Sequence, residues 1–214
     1  MSRTRSGRRR WPWIAGALAV LLAAAVAVVV VPILTHGDGG MSNQEPSSEQ
    51  WPTTVTAVGD DGRTRALTVL GSEGDPPLDT SALIPGQRIT VAGSGFDPKQ
   101  GIYVALCVIP DDPTVKPGPC IGGVPDQEQE TVEAGTVQYA PSNWINDDWA
   151  WRLFGARSYD DPAAGTFTAY LEVGEPAGEG FDCRVDPCGF FTRNDHTALN
   201  DRVQDVHIPV AFAP

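Results

Sequence analysis

The 214-residue chain is poor in the residues that metal and redox sites use, with three histidines, four cysteines and two methionines. The cysteines have neither the paired C-x2-C spacing of a zinc site nor the C-x-x-C of a thiol oxidoreductase. A G-x-S-x-G nucleophile motif is also missing, because Ala92 precedes the Gly-Ser-Gly at 93–95. We therefore expect no catalytic residue, no metal and no cofactor, and predict that the protein is not an enzyme.

Acidic residues are missing from the first 35 positions, where residues 1–10 carry five arginines. Residues 14–34 then contain no charged or strongly polar side chain, and about 20 such residues cross a bilayer. Basic flanks stay in the cytoplasm. The pattern predicts a cytoplasmic tail over 1–10 and a transmembrane signal anchor over 11–35, with the C-terminal part outside the cell membrane. A cleaved signal peptide is the alternative, although its apolar region is normally shorter.

The part after residue 35 is strongly acidic. It holds all 27 acidic residues but only ten basic ones, which gives a formal charge of −17. A domain of this charge repels the phosphate backbone of nucleic acids, so we expect no nucleic-acid partner.

A Gly-, Ser- and Pro-rich stretch follows the apolar run, and we predict a flexible linker over 36–60 and one domain over 61–214. The domain lacks an apolar stripe with helical periodicity. Its short apolar runs, separated by Gly and Pro, predict an all-β sandwich or barrel. The strand candidates are 65–71, 87–96, 101–109, a weaker 130–140, 165–173, the two flanks of the 183–188 loop, and 205–212.

The four cysteines, Cys107, Cys120, Cys183 and Cys188, are even in number and all lie in the part predicted to be exported. Such cysteines form disulfides in oxidising compartments. Three pairings are possible. The simplest joins Cys107 to Cys120 and Cys183 to Cys188, so that each bond closes a short loop.

Three segments, ITVAGSGFDPKQGIYVALC, DCRVDPC and VHIPVAF, resemble the neocarzinostatin and actinoxanthin apoprotein family of actinobacteria. The resemblance implies an immunoglobulin-like, seven-stranded β-sandwich with two short-loop disulfides. It also implies a cleft for an enediyne-like chromophore beside the first disulfide, lined by Val108, Ile109, Gly189 and Phe190. The chain departs from the family pattern there: Ile109 replaces a tryptophan, and Gly189, Phe190 and Phe191 replace a serine and a glutamine.

Residues 141–162 interrupt the resemblance with a segment that contains Trp144, Trp149 and Trp151. One interpretation is a long loop that covers an open face of the sandwich. The other is an aromatic surface that recognises a flat or apolar ligand, because aromatic rings give large contact areas at low entropic cost.

The sequence thus predicts a monomeric, non-enzymatic binding or interaction module of the actinobacterial cell envelope. Its partner is an apolar small molecule or an envelope protein. The alternative is a carrier proper, for an enediyne-like chromophore or for haem, with Tyr103, Tyr170 and His196 as candidate iron ligands. The predicted ligand-binding residues are Ile109, Trp144, Trp149, Trp151 and Phe190.

Overall fold

The computed structural model describes residues 11–37, 39–72, 77–122 and 137–214. The chain divides into two compact units, Met1–His36 and Gly37–Pro214.

The first unit contains one helix, α1 (Trp11–Thr35), built from Ala, Val and Leu. Among the described residues, no helix is both long and apolar enough to span a membrane. The anchor predicted over 11–35 is therefore helical but not supported as a membrane span. The tail predicted over 1–10 lies outside the described residues.

The second unit is a β-sandwich of antiparallel sheets. Its elements are β1 (Thr54–Val58), β2 (Thr64–Gly71), β3 (Arg88–Ser94), β4 (Ile102–Val108), β5 (Ser142–Ile145), α2 (Trp149–Arg152), β6 (Phe167–Glu172), β7 (Ala177–Gly178), β8 (Phe181–Asp182), β9 (Cys188–Asn194) and β10 (Val206–Val210). The first sheet has the order β1-β2-β3-β6, the second β10-β9-β4-β5, and β7 and β8 form a ribbon.

The core lies between the two sheets because alternate side chains on each strand point inward. In the first sheet, Leu67, Ile89 and Val91 are inward-facing and almost completely buried. The second sheet contributes Val104 and Phe190, and both belong to the same apolar cluster. An all-β fold is therefore confirmed.

The number of strands and the linker differ from the sequence prediction. The described residues form two four-stranded sheets and a ribbon, where seven strands were expected. The predicted linker 36–60 includes β1, which pairs in register with β2, so its last part belongs to the sheet. The segment 141–162 provides β5, which pairs with β4. Of the weak candidate 130–140, residues 130–136 lie outside the described part, and Ala140 forms an isolated bridge to Leu171.

Both disulfides have the simplest predicted pairing. Cys107 and Cys120 are joined at an S–S distance of 2.01 Å, and Cys183 and Cys188 at 2.00 Å. The first bond ties the loop after β4 back onto that strand, and the second closes the turn between β8 and β9. The first disulfide therefore fixes the loop that covers the second sheet.

Candidate ligand-binding site

The outer face of the second sheet, which points away from the core, is unusually apolar and aromatic. Strand pairing places Tyr103 opposite Trp144 and opposite Arg193, and Phe191 opposite both Ala105 and His207. Directly paired residues lie on the same face of a sheet. These side chains therefore form one continuous surface that runs across all four strands.

One half of this face carries an aromatic cluster formed by Tyr103, Trp144, Trp151 and His196. The Trp144 ring lies 5.9 Å from Tyr103 and 5.7 Å from Trp151 between ring centroids. The His196 ring packs edge-on against Trp151 at 4.7 Å, and its Nδ1 is 3.0 Å from the Tyr103 hydroxyl. The Trp-rich segment thus folds back onto the sheet, as the covering-loop interpretation predicts.

A fully buried carboxylate, Asp195, holds this cluster in place. Its Oδ2 accepts hydrogen bonds from Trp144 Nε1 at 2.8 Å and Asn146 Nδ2 at 2.9 Å. Its Oδ1 accepts from the backbone N–H and the hydroxyl of Thr197 at 2.8 and 2.5 Å. Buried carboxylates are tolerated only when satisfied in this way, so Asp195 is a structural anchor for the segment.

The haem-ligand hypothesis is only partly consistent with the geometry. Tyr103 and His196 are brought together, but Tyr170 lies on the first sheet, where the guanidinium of Arg157 covers its ring at 4.8 Å. Burial, with a smaller contribution from Asp195, raises the pKa of Tyr103 to about 12. The tyrosinate that binds iron is therefore disfavoured at Tyr103.

The other half of the outer face contains a cavity of about 160 Å³, here named the Asp205 cavity. Its floor is the Phe191 ring, which stacks on His207 at a centroid distance of 4.6 Å and an interplanar angle of 22°. Its walls come from the loop after β4 and from a segment that precedes β1. The lining residues are Met41, Ser42, Asn43, Gln44, Ile109, Pro110, Pro113, Val115, Pro117, Phe191, Asp205 and His207.

Two titratable side chains in this lining are shifted by burial. Desolvation raises the pKa of Asp205 to about 7, although the charge of Arg202 beside it, the backbone N–H of Asn194 and the charge of Arg193 act in the opposite direction. Desolvation alone lowers the pKa of His207 to about 4. At neutral pH, His207 is therefore an uncharged imidazole, able to donate one hydrogen bond and accept another.

Three basic residues, Lys116, Arg193 and Arg202, lie near Asp205. Arg202 Nη1 lies 2.8 Å from Asp205 Oδ2 in a buried ion pair. Arg193 donates from Nη1 to the carbonyl of Pro117 at 2.8 Å and lies over the Tyr103 ring at 5.8 Å. Burial, followed by the nearby charges of Arg193 and Arg202, lowers the pKa of Lys116.

The structure separates the five predicted ligand-binding residues. Trp144 and Trp151 belong to the aromatic cluster, and Ile109 lines the Asp205 cavity. Trp149 lies on α2 and is 75% exposed. Phe190 is only 1% exposed and packs in the core between the sheets.

The expectation that Phe190 lines a cleft is corrected by strand alternation. Cys188, Phe190 and Thr192 point inward along β9, so Gly189, Phe191 and Arg193 face outward. The sequence reads CGFF, and two adjacent phenylalanines give no signal for which one is buried. Phe191 takes the position on the outer face that was assigned to Phe190.

Sequence reasoning also missed Asp205, His207 and the residues Met41–Gln44 that close the cavity. A signal existed for His207, which alternates with the inward-facing Val206 and Ile208 in a strand that was predicted. No local pattern indicates that residues near position 41 pack against a strand more than 160 residues later. Within the described ranges, no group of three or more His, Cys, Asp or Glu side chains is arranged to hold a metal ion.

Comparison with known proteins gives two distant likenesses. No protein-family model matches the chain. The chain is 29% identical over 137 residues to "Thiamine biosynthesis protein X" of Corynebacterium glutamicum, which covers 64% of this chain and 61% of that protein. The chain thus spans less than two thirds of that relative's length. It is also similar to the solved structure of macromomycin, at 19% identity and a TM-score of 0.36, over 69% of this chain and 99% of that one. At this identity and TM-score the likeness carries no argument about the fold or function of this chain, and the resemblance to the neocarzinostatin family stays a prediction.

Proposed function

We propose that the unit Gly37–Pro214 is a non-enzymatic binding module that holds a small apolar ligand on the outer face of its second sheet. The observation that supports this proposal most directly is the Asp205 cavity. The outer face is covered by the loop after β4 and by Met41–Gln44, but the cover leaves about 160 Å³ empty above the stacked Phe191 and His207 rings. An apolar, partly enclosed cavity with a few polar groups is the usual form of a ligand site.

The proposed location is extracytoplasmic, at the cell envelope. Two observations favour this location: the arginine-rich sequence before α1, and the presence of two disulfides, which persist in oxidising compartments. The name of the Corynebacterium relative makes thiamine-related molecules one chemical class to test as ligands.

The experiment compares the native and the denatured mass of the protein purified from its host. A native mass that exceeds the denatured mass by one discrete small molecule would support a carrier or ligand-binding module. The same measurement on Phe191→Ala, with Trp149→Ala as the matched control, assigns the site: we expect the molecule to be lost only from Phe191→Ala. A native mass without any added molecule, in protein isolated under mild conditions, would contradict the proposal.

A protein partner is the second candidate function, and α2 favours it. Trp149 and Leu153 are 75% and 74% exposed, and Phe154 beside them is also exposed. Large apolar side chains clustered at the surface mark sites of protein association. A photo-crosslinker at position 149 should then give one discrete adduct in the living host, whereas the same group at Thr56, exposed on the first sheet, should give none. Equal labelling from both positions would argue against this surface.

A further inference from the structure

The lining of the Asp205 cavity includes polar side-chain atoms for which the described residues provide no hydrogen-bond partner. Asp205 is 7% exposed, and its Oδ2 pairs with Arg202, but its Oδ1 has no hydrogen-bond partner among the described residues. The imidazole of His207 stacks on Phe191. Within the described ranges, the hydrogen bonds of His207 are those of its backbone with the side-chain amide of Gln44. Buried polar groups are normally satisfied, so each unpaired one calls for an explanation.

The charges around the cavity disfavour a charged occupant of either sign. An anion would lose its hydration in this largely apolar cavity, and above pH 7 it would also meet the ionised carboxyl of Asp205. Lys116, Arg193 and Arg202, which interact electrostatically with Asp205 and with one another, oppose a cation. Asp201 and Asp195 add weaker acidic contributions from the neighbouring loop. An uncharged molecule avoids the desolvation cost and the electrostatic repulsion that a charged occupant would meet. The neutral imidazole of His207 can donate a hydrogen bond to such a molecule or accept one from it.

The shape of the cavity limits the size of the occupant. At about 160 Å³ the cavity is smaller than the roughly 300–1,000 Å³ of a drug-sized pocket, so it accepts one ring with a short substituent. The Phe191 ring forms a flat floor, and the rings of Pro110, Pro113 and Pro117 stand in the walls. Flat apolar surfaces of this kind favour a planar ligand, because aromatic rings pack well in offset or edge-on arrangements.

We propose that the Asp205 cavity binds a small, planar, uncharged molecule with an adjacent hydrogen-bond donor and acceptor, as in an aromatic amide or an amino-heterocycle. The acceptor of the ligand meets the His207 imidazole and its ring lies against Phe191. Its donor N–H meets Asp205 once the carboxyl turns, because Oδ1 is shielded from the cavity in the unliganded fold. This inference rests on the proposed ligand-binding function and adds the chemical class of the ligand.

The test uses three probes of nearly equal shape and different charge: benzamide, benzoate and benzamidine. Each is titrated into the oxidised full-length protein at pH 7.5, and binding is followed by ligand-observed NMR. We expect benzamide to bind at least tenfold more tightly than either charged probe. The substitution His207→Phe keeps the stacked ring but removes both nitrogens, and it should weaken benzamide at least fivefold. Asp205→Asn should weaken it similarly, whereas Asp182→Asn, at an exposed Asp–Arg pair in the β7–β8 ribbon, should have no effect.

The inference is overturned if benzoate or benzamidine binds as tightly as benzamide, if none of the three probes binds, or if His207→Phe binds benzamide unchanged while retaining the wild-type NMR spectrum elsewhere. These failures are distinguishable from failure of the proposed function. A discrete co-purified molecule in the native mass, charged or too large for this cavity, would preserve a binding module and reject only the ligand class.

Discussion

The two sheets of the sandwich are built from strands of similar length, yet they are buried very differently. In the first sheet, β1 alternates between buried and exposed positions and β3 between buried and mostly half-buried ones, as expected of a sheet with one face toward solvent. In the second sheet, β4, β5 and β9 are buried at almost every position. The difference locates the more covered face. Among the described residues, loops and the Trp-rich segment overlie most of the outer side of the second sheet, whereas the first sheet is covered at Tyr170 by Arg157 and Tyr139.

The sharpest test of this comparison lies within β9, where Phe190 packs in the core between the sheets and Phe191 lies on the outer face. Phe190→Ala should lower the free energy of unfolding by about 3–5 kcal/mol, because a ring is lost from a packed core. Phe191→Ala removes a ring that borders an existing cavity, so we expect a clearly smaller loss. Urea denaturation of both variants measures the difference. Equal losses would mean that the outer face is as tightly packed as the core.

The two disulfides extend the comparison because only one belongs to the covered face. The Cys107–Cys120 bond joins residues 13 positions apart, and the Cys183–Cys188 bond residues 5 positions apart. Chain entropy predicts that removing them lowers the free energy of unfolding by about 3 and about 2 kcal/mol. Replacing both cysteines of each pair by alanine tests these values. Only the Cys107/Cys120 variant should also lose benzamide binding, and loss in both variants would indicate a global change.

A smaller effect is expected in the pH dependence of stability. The folded-state pKa of Asp205 is raised from 3.8 to about 7, so its contribution to stability falls as pH rises through this range. The folded-state pKa of His207 is lowered from 6.5 to about 4, so its contribution is lost as pH falls from 6.5 to 4. Between pH 4 and 6.5 the two contributions oppose each other.

Single substitutions should therefore separate the two opposing dependences of the unfolding free energy on pH. Relative to the wild type, Asp205→Asn should gain stability as pH rises from 4 to 6.5, and His207→Phe should lose it. Thermal denaturation across this range checks both signs. Thr56→Ala, at an exposed and non-titrating position of β1, serves as a control that leaves the wild-type slope unchanged. Parallel curves for all proteins would show that neither side chain titrates as described.

The smallest expected effect concerns the exposed part of the Trp-rich segment. Trp149→Ala should change the free energy of unfolding by less than about 0.5 kcal/mol, as is usual for exposed positions. Trp144→Ala should lower it by about 3–5 kcal/mol, because a buried ring and its hydrogen bond to Asp195 are lost. Chemical denaturation compares them, and a large loss in Trp149→Ala would place that residue in an unrecognised contact.

The sequence was sufficient for the features that depend on local pattern. Strands β2, β3, β4, β6 and β10 were predicted, because apolar and polar residues alternate or run continuously there. The disulfide pairing followed from the shortest loops. β1 was missed because Thr54–Val58 follows a Pro- and Ser-rich stretch and has only three apolar residues.

The candidate site was less predictable because it depends on contacts between distant parts of the chain. Ile109, Trp144 and Trp151 were identified from their aromatic or family context. The choice between Phe190 and Phe191 needs the register of β9, which two equivalent neighbours do not reveal. Asp205 and His207 become site residues only because Met41–Gln44 folds over them, and this contact has no local sequence signal.

The side chain of Gln44 has a consequence for self-association. Its amide donates to the carbonyl of His207 and accepts from the N–H of the same residue, both at 2.7 Å. β10 is an edge strand, and free backbone groups on an edge invite another chain to add a strand. Gln44 thus occupies these groups as a neighbouring strand would. The segment that closes the cavity therefore also reduces the free backbone groups that β10 offers to a second molecule. The monomer itself stays a prediction.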